Sequence, residues 1–265
     1  MYSVRNIDGV DVHIEGAGSE TIVMVHGWPD TYRLWDDQVT FLKAQFRCLR
    51  FTLPGFDLAK PRRAHSLDQL VTSLQHIIEA SCPGEKVTLL LHDWGCIFGY
   101  QFAMRHPELV KRIVGVDVGD AGSRAHLGAM PFKAKAMVLG YQGWLAIAWK
   151  LGGRWGDAMT RTMARWLRCP ADPGLISSAM NYPYYIAWTG AHGGYRRALP
   201  LALNCPMLYV YGCKKPFQFH SPAWAAALRE RPGSQLLEFS TGHWVMKNKP
   251  AEFNQALATW LLLPA

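Results

Sequence analysis

With 265 residues, 49% of them hydrophobic and 18% charged, the chain is long enough for a sizeable core and too apolar for disorder. Its 28 Lys and Arg against 20 Asp and Glu give a net charge of +8, but the cations are scattered, with runs no longer than Arg62-Arg63, Arg196-Arg197 and Lys214-Lys215. No basic stripe with interleaved aromatics emerges, which excludes nucleic acid as a partner.

Residues 3–7 and 10–15 are two alternating runs joined at Asp8-Gly9, a pattern that predicts a β-hairpin. A further apolar run, 21–26, ends in the turn His26-Gly27-Trp28-Pro29, where a glycine lets the backbone fold back and aim its N–H groups at a substrate. Residues 32–44 predict an amphipathic helix, 48–52 a strand, and 67–80 a helix with Ser66 as its N-cap. The turn Pro54-Gly55-Phe56-Asp57 is given a structural role only. Residues 87–91 are a short apolar run of the kind buried on both faces of a parallel sheet. Helical spacing follows over 95–106, and Pro107 stops it. The junction His92-Asp93-Trp94-Gly95 must therefore turn sharply from strand to helix. Residues 110–116 form another buried strand, with Asp117 at its end and Asp120 three residues on.

From 121 to 199 strand-like runs vanish and Trp and Tyr concentrate, with helical spacing over 136–151 and 157–167. Aromatic helices over the strand ends would line an apolar pocket, although most of the rings must pack helix against core. The longest apolar stretch, 136–151, is broken by Gly140, Gln142, Gly143 and Lys150 and is too short to span a bilayer, so no membrane partner is expected. Strands return at 207–211 and 235–240. The first leads into Gly212-Cys213-Lys214-Lys215-Pro216, the second into Thr241-Gly242-His243-Trp244, and a closing helix follows Lys249-Pro250. The six cysteines show neither CxxC spacing nor clustering, and no signal peptide is expected; both point to reduced thiols in the cytoplasm.

The chemistry centres on Asp93. A carboxylate at a strand-to-helix turn can attack an sp³ carbon and form an alkyl ester, which a histidine-activated water then cleaves. Epoxides and alkyl halides accept such attack. The bland alternatives are an Asp93 that only caps the helix and a His243 that is only a surface residue.

The motifs resemble a known family. His26-Gly27-Trp28-Pro29 is similar to the HGxP oxyanion motif, and His92-Asp93-Trp94-Gly95 to the HDWG nucleophile elbow, of α/β-hydrolase-fold epoxide hydrolases; haloalkane dehalogenases share most of the pattern. The resemblance implies an α/β-hydrolase fold, with a mostly parallel central sheet flanked by helices. The core domain would comprise residues 1–120 and 200–265, and an inserted helical cap 121–199. It further implies Asp93 as nucleophile, the backbone N–H groups of Trp28 and Trp94 as oxyanion donors, and His243 as the water-activating base. Two cap tyrosines would hydrogen-bond the epoxide oxygen. Tyr141 in Gly-Tyr-Gln-Gly-Trp-Leu is the first, and Tyr182 in Asn181-Tyr182-Pro183-Tyr184-Tyr185 is chosen as the second over Tyr184 and Tyr185. Hydrolases of this fold usually carry the triad acid where Lys215 stands. Some relatives, including certain haloalkane dehalogenases, carry it after the sixth strand instead, and that resemblance implies Asp117, with Asp120 as the fallback and Lys215 turned outward to water. No cofactor or metal is implied. The expected partner is a small apolar epoxide, and a homodimer stays open. Two other readings remain: a haloalkane dehalogenase using the same nucleophile, and a non-catalytic hydrolase-fold binding module, for which Lys215 is the main support.

Overall fold

The computed structural model describes residues 2–263. Strands β1 (Tyr2–Ile7) and β2 (Val10–Glu15) make the hairpin, hinged at Asp8 and Gly9, both at positive φ. Then come β3 (Thr21–Val25), β4 (Arg47–Phe51), β5 (Val87–His92), β6 (Val110–Val116), β7 (Met207–Gly212) and β8 (Gln235–Phe239). They form one sheet in the order β1-β2-β4-β3-β5-β6-β7-β8; β2 pairs antiparallel with β1 and β4, and every other pair is parallel. Buried on both faces, the central strands read as unbroken apolar runs, which is why their sequences show no alternation.

The helices are α1 (Asp36–Leu42), α2 (Leu67–Ser81) and α3 (Trp94–Arg105); then α4 (Arg124–Ala129), α5 (Phe132–Leu151), α6 (Gly153–Trp166) and α7 (Tyr182–Thr189); then α8 (Pro222–Arg229), α9 (Val245–Asn248) and α10 (Pro250–Leu261). One face of the sheet is covered by α1 and α10 through Val39, Leu42, Phe253, Leu257 and Trp260. The other is covered by α2 and α3 through Leu70, Leu74, Ile78, Phe98 and Phe102. A capping box between Ser66 and Gln69 starts α2. Helices α4 to α7 all lie in the connection between β6 and β7.

Some predicted boundaries moved. The helix expected over 32–44 divides into a 3₁₀ turn, Tyr32–Trp35, and α1; Thr31 caps the turn. Helix α5 begins at Phe132 rather than 136, because its first turn buries only Ala134 and leaves no apolar periodicity to read. Helix α8 was not expected; its signal is Ser221-Pro222, an N-cap followed by proline at the first helical position.

The strand order reverses direction between β3 and β5, and loops after such a pair diverge to leave a crevice at the carboxyl edge of the sheet. The turn after β3 carries Trp28, the turn after β5 carries Asp93, and β6, β7 and β8 lead into Asp117, Lys215 and His243. Residues scattered over 216 positions thus converge on one edge.

Candidate active site

Asp93 adopts φ 53°, ψ −123°, a region few side chains tolerate. Two glycines make the conformation fit. A Cβ on Gly27 would collide with the Asp93 side chain and lie 2.5 Å from the Trp94 nitrogen, and one on Gly95 would run into the Val25 carbonyl. The elbow is therefore pressed against the turn after β3. One carboxylate oxygen, Oδ1, accepts the Trp28 backbone N–H at 2.7 Å, and the Trp94 N–H nearby also favours the carboxylate's charge. The other, Oδ2, lies 3.3 Å from His243 Nε2. A carboxylate held this way has one oxygen in a nest of N–H donors and one free to react.

The opposite ring nitrogen, His243 Nδ1, meets Asp117 Oδ2. Asp117 is fully buried, and its Oδ1 accepts both the Gly212 N–H at 2.9 Å and the Lys215 ammonium. Burial alone would press the His243 imidazole down, but the charge and hydrogen bond of Asp117, followed by those of Asp93, raise it to about 9. Both carboxylates are held below the usual range despite burial, Asp117 by Lys215 and His243, Asp93 by His243.

Lys215 corrects an expectation. Its side chain is only 9% exposed and turns inward onto Asp117 instead of outward to water. A lone ammonium there would oppose an imidazolium. Paired to Oδ1, it leaves Oδ2 aimed at the ring and fixes the carboxylate's orientation. Asp120 is committed elsewhere: it accepts the Ser221 N–H at 2.6 Å and the Ser221 and Ser123 hydroxyls at 2.8 and 2.6 Å, joining the starts of α8 and α4.

The tyrosines bring a second correction. Tyr182 points away from Asp93; its hydroxyl donates to the Pro54 carbonyl at 2.9 Å and its ring packs on Phe56. Tyr184 faces the carboxylate, with its ring edge-on to Trp94, Trp28 and Tyr141 at 5.1, 5.9 and 6.1 Å. Pro183 opens α7, so residues 182 and 184 are two apart on a helix and face opposite sides. Tyr185 lies near Trp149, with ring centroids 6.2 Å apart. Burial raises the pKa of Tyr141 and Tyr184, and the negative Asp93 raises both further, so both phenols stay protonated donors at neutral pH.

Two rings have prior engagements. The Trp28 indole N–H donates to Asn181 at 2.7 Å, and Asn181 in turn donates to Thr160, tying the β3 turn to the helical insertion. The Trp94 indole meets the Tyr184 ring edge-on at 5.1 Å. His26 is buried and neutral, pushed down to about 4 by desolvation; it bonds the Gly27 carbonyl and accepts the Leu53 N–H at 2.9 Å, bracing the turn. Asp30, which sequence reasoning did not single out, accepts the Trp244 indole N–H at 2.8 Å beside His243. A clue was available in its place one residue after Pro29 of the motif.

The pKa of His243 sets a pH signature. A folded-state value of about 9 against an ordinary 6.5 means that this group's contribution to stability is complete below pH 6.5 and is lost as pH rises through 9. Wild type should therefore lose more melting temperature than His243→Gln between pH 6.5 and 9.5. Parallel curves for the two would show that the imidazolium is not stabilised.

The sheet and the site define a hydrolase-type α/β protein whose elbow carries a carboxylate. The chain belongs to the alpha/beta hydrolase family, whose sequence profile matches residues 22–256. It is 31% identical over 130 residues to the "Probable oxidoreductase EphD" of Mycobacterium tuberculosis, covering 47% of this chain and 22% of that protein's length. It is 25% identical over 279 residues to mouse "Epoxide hydrolase 3", covering 96% of this chain and 74% of the relative. A mutant epoxide hydrolase from Bacillus megaterium, complexed with its diol product, superposes with a TM-score of 0.75 at 21% identity, covering 98% of this chain and 99% of the other. At that identity the superposition establishes the fold.

Proposed function

We propose that the protein is an epoxide hydrolase that converts small apolar epoxides to vicinal diols through an ester on Asp93, with the helical insertion 121–199 serving as its cap. The observation that carries this reading is the pair of protonated phenols, Tyr141 and Tyr184, beside a buried carboxylate on a strand-to-helix turn. Asp93 Oδ2 attacks one epoxide carbon, the C–O bond breaks, and a phenol supplies the proton to the leaving oxygen. Alkylation removes the Asp93 charge that had helped keep His243 protonated, so the imidazolium gives its proton to the phenolate and becomes available as a base. It takes a proton from water, and the resulting hydroxide adds to the ester carbonyl. The Trp28 and Trp94 N–H groups hold the oxyanion that forms. Collapse expels the diol oxygen, which takes the imidazolium proton, and the water's second proton passes from the regenerated Asp93 carboxyl to His243. The net reaction consumes one epoxide and one water.

Among the described residues, the indole groups argue against a halide site. The Trp28 indole N–H is bound by Asn181, leaving no pair of free indole donors for a departing halide. The complete Asp93–His243–Asp117 relay argues against an inert scaffold, with Lys215 serving as counter-ion instead of a lesion. The six cysteines, all free, support a reducing, cytoplasmic setting. Incubation with styrene oxide and with 1-bromobutane tests the reading: diol without bromide is expected. Bromide without diol would make the protein a dehalogenase, and neither product would make it a binding module.

The tyrosine assignment has its own test. Tyr184→Phe and Tyr141→Phe should each slow ring opening by up to about 10²–10⁴-fold, the usual worth of a general acid, with ester hydrolysis little changed. Tyr182→Phe should leave ring opening unchanged and cost about 1 kcal/mol of stability through the hydrogen bond lost at Pro54. A Tyr182→Phe variant that loses ring opening while Tyr184→Phe keeps it would reverse the assignment.

A further inference from the structure

The whole net charge of the protein resides in the helical insertion. Of the 28 Lys and Arg and 20 Asp and Glu, residues 121–199 hold ten and two, the acids being Asp157 and Asp172; the rest of the chain holds 18 of each. Among the described residues, none of Lys133, Lys150, Arg154 and Arg165 forms a salt bridge, and all four are exposed.

The same helices expose apolar side chains where a solvated helix would be polar. On α5, Phe132, Leu139, Ile147 and Leu151 are all exposed, Phe132 by 87%. At 100° per residue these four fall within an arc of roughly 120°, and Lys133 and Lys150 share that arc. The surface continues beyond α5. Trp155 at the start of α6 and Trp166 at its end are each 67% exposed. The Trp166 ring lies 5.9 Å from that of Trp144 on α5, and the exposed Trp188 lies over Gly143.

We propose that this face of the insertion docks reversibly on an anionic phospholipid bilayer. Aliphatic chains and indoles interleaved with cations match an interface in which acyl boundary and acidic headgroups lie within a few ångströms. Tryptophan suits that depth because its ring is apolar and its N–H is not. Two alternative occupants fit less well. A second copy would bring eight like charges against eight, and a nucleic acid offers phosphates but nothing for Phe132, Leu139, Ile147 and Leu151. No helix among the described residues is long and apolar enough to cross a membrane, so the contact is peripheral.

The test is co-sedimentation of the full chain with phosphatidylcholine vesicles, with and without phosphatidylglycerol, at low and high salt. Wild type should bind only the vesicles containing phosphatidylglycerol, release with salt, and shift its tryptophan emission to the blue on binding. One triple variant, Ile147→Ser with Leu151→Ser and Trp155→Ser, removes apolar contacts; another, Lys133→Glu with Lys150→Glu and Arg154→Glu, reverses charge. Each should weaken partitioning by about tenfold or more, since every basic side chain near such a surface contributes about 1 kcal/mol. All six positions are exposed, so both variants should melt with wild type. No wild-type binding at low salt would overturn the proposal. So would an apolar variant that binds as wild type does, which would reduce the effect to bare charge adsorption. A dimer, or a duplex-DNA complex, that the apolar variant abolishes would assign the face to that partner instead.

Discussion

Replacing Asp93 by Asn is expected to lower epoxide turnover by about 10⁴-fold or more, with the fold intact. Asn is nearly isosteric and among the residues that best tolerate positive φ, so the turn at φ 53° survives. Its carbonyl can still accept the Trp28 N–H. What disappears is the anionic oxygen facing the substrate, and losing a covalent nucleophile removes the entire two-step route. The covalent step has an isotopic signature. Each cycle of wild type in ¹⁸O-water rebuilds the carboxylate with one oxygen from water, so after several turnovers the peptide bearing Asp93 should carry label. Label found in the diol alone would mean direct attack by water and would sink the ester mechanism.

His243→Gln should separate the two half-reactions. Alkylation needs the Asp93 carboxylate and the phenols, none of which the substitution removes. Hydrolysis needs a base at 3.3 Å from the former Oδ2, and glutamine is not one. Intact-mass measurement should show protein plus one substrate mass, stable for many wild-type turnover times. Asp117→Asn should slow the same step by about 10³–10⁴-fold, because an amide cannot stabilise the imidazolium and permits the wrong tautomer. Ordinary turnover by His243→Gln would mean that another group activates the water. Unimpaired hydrolysis in Asp117→Asn would mean that the buried pair at Nδ1 is structural.

The fold and the position of the elbow were legible because both are written in local pattern. An apolar run, a glycine-flanked turn and a helix specify the elbow wherever they occur, and Asp93 could be read as its central residue. The choice between Asp117 and Asp120 was not local. Both follow β6, and only packing sends one carboxylate to His243 and the other to Ser221 at the start of α8.

Tyr182 and Tyr184 divided for a similar reason. Motif similarity brought the region into view, but the face each ring takes depends on where α7 starts, and Pro183 opens that helix at Tyr182. Lys215 is the sharper case. In sequence it is a cation at the position of an acid; in the fold it lies across from Asp117 and becomes that acid's counter-ion. The charge surplus differs: ten cations against two acids over 121–199 can be counted along the chain, and only the fold shows which of them stand exposed beside apolar side chains.

By itself, then, the sequence determined what depends on neighbours along the chain: the strands, the elbow at Asp93, the glycine turn at Trp28 and the histidine after the last strand. Tertiary structure alone decided which side chains meet across the sheet edge: Asp117 over Asp120, Tyr184 over Tyr182, and Lys215 turned inward. The physical reason is range. Backbone periodicity and turn chemistry act over a few residues, whereas the partner of a buried charge is fixed by packing between strands more than a hundred residues apart, such as those leading to Asp117 and His243.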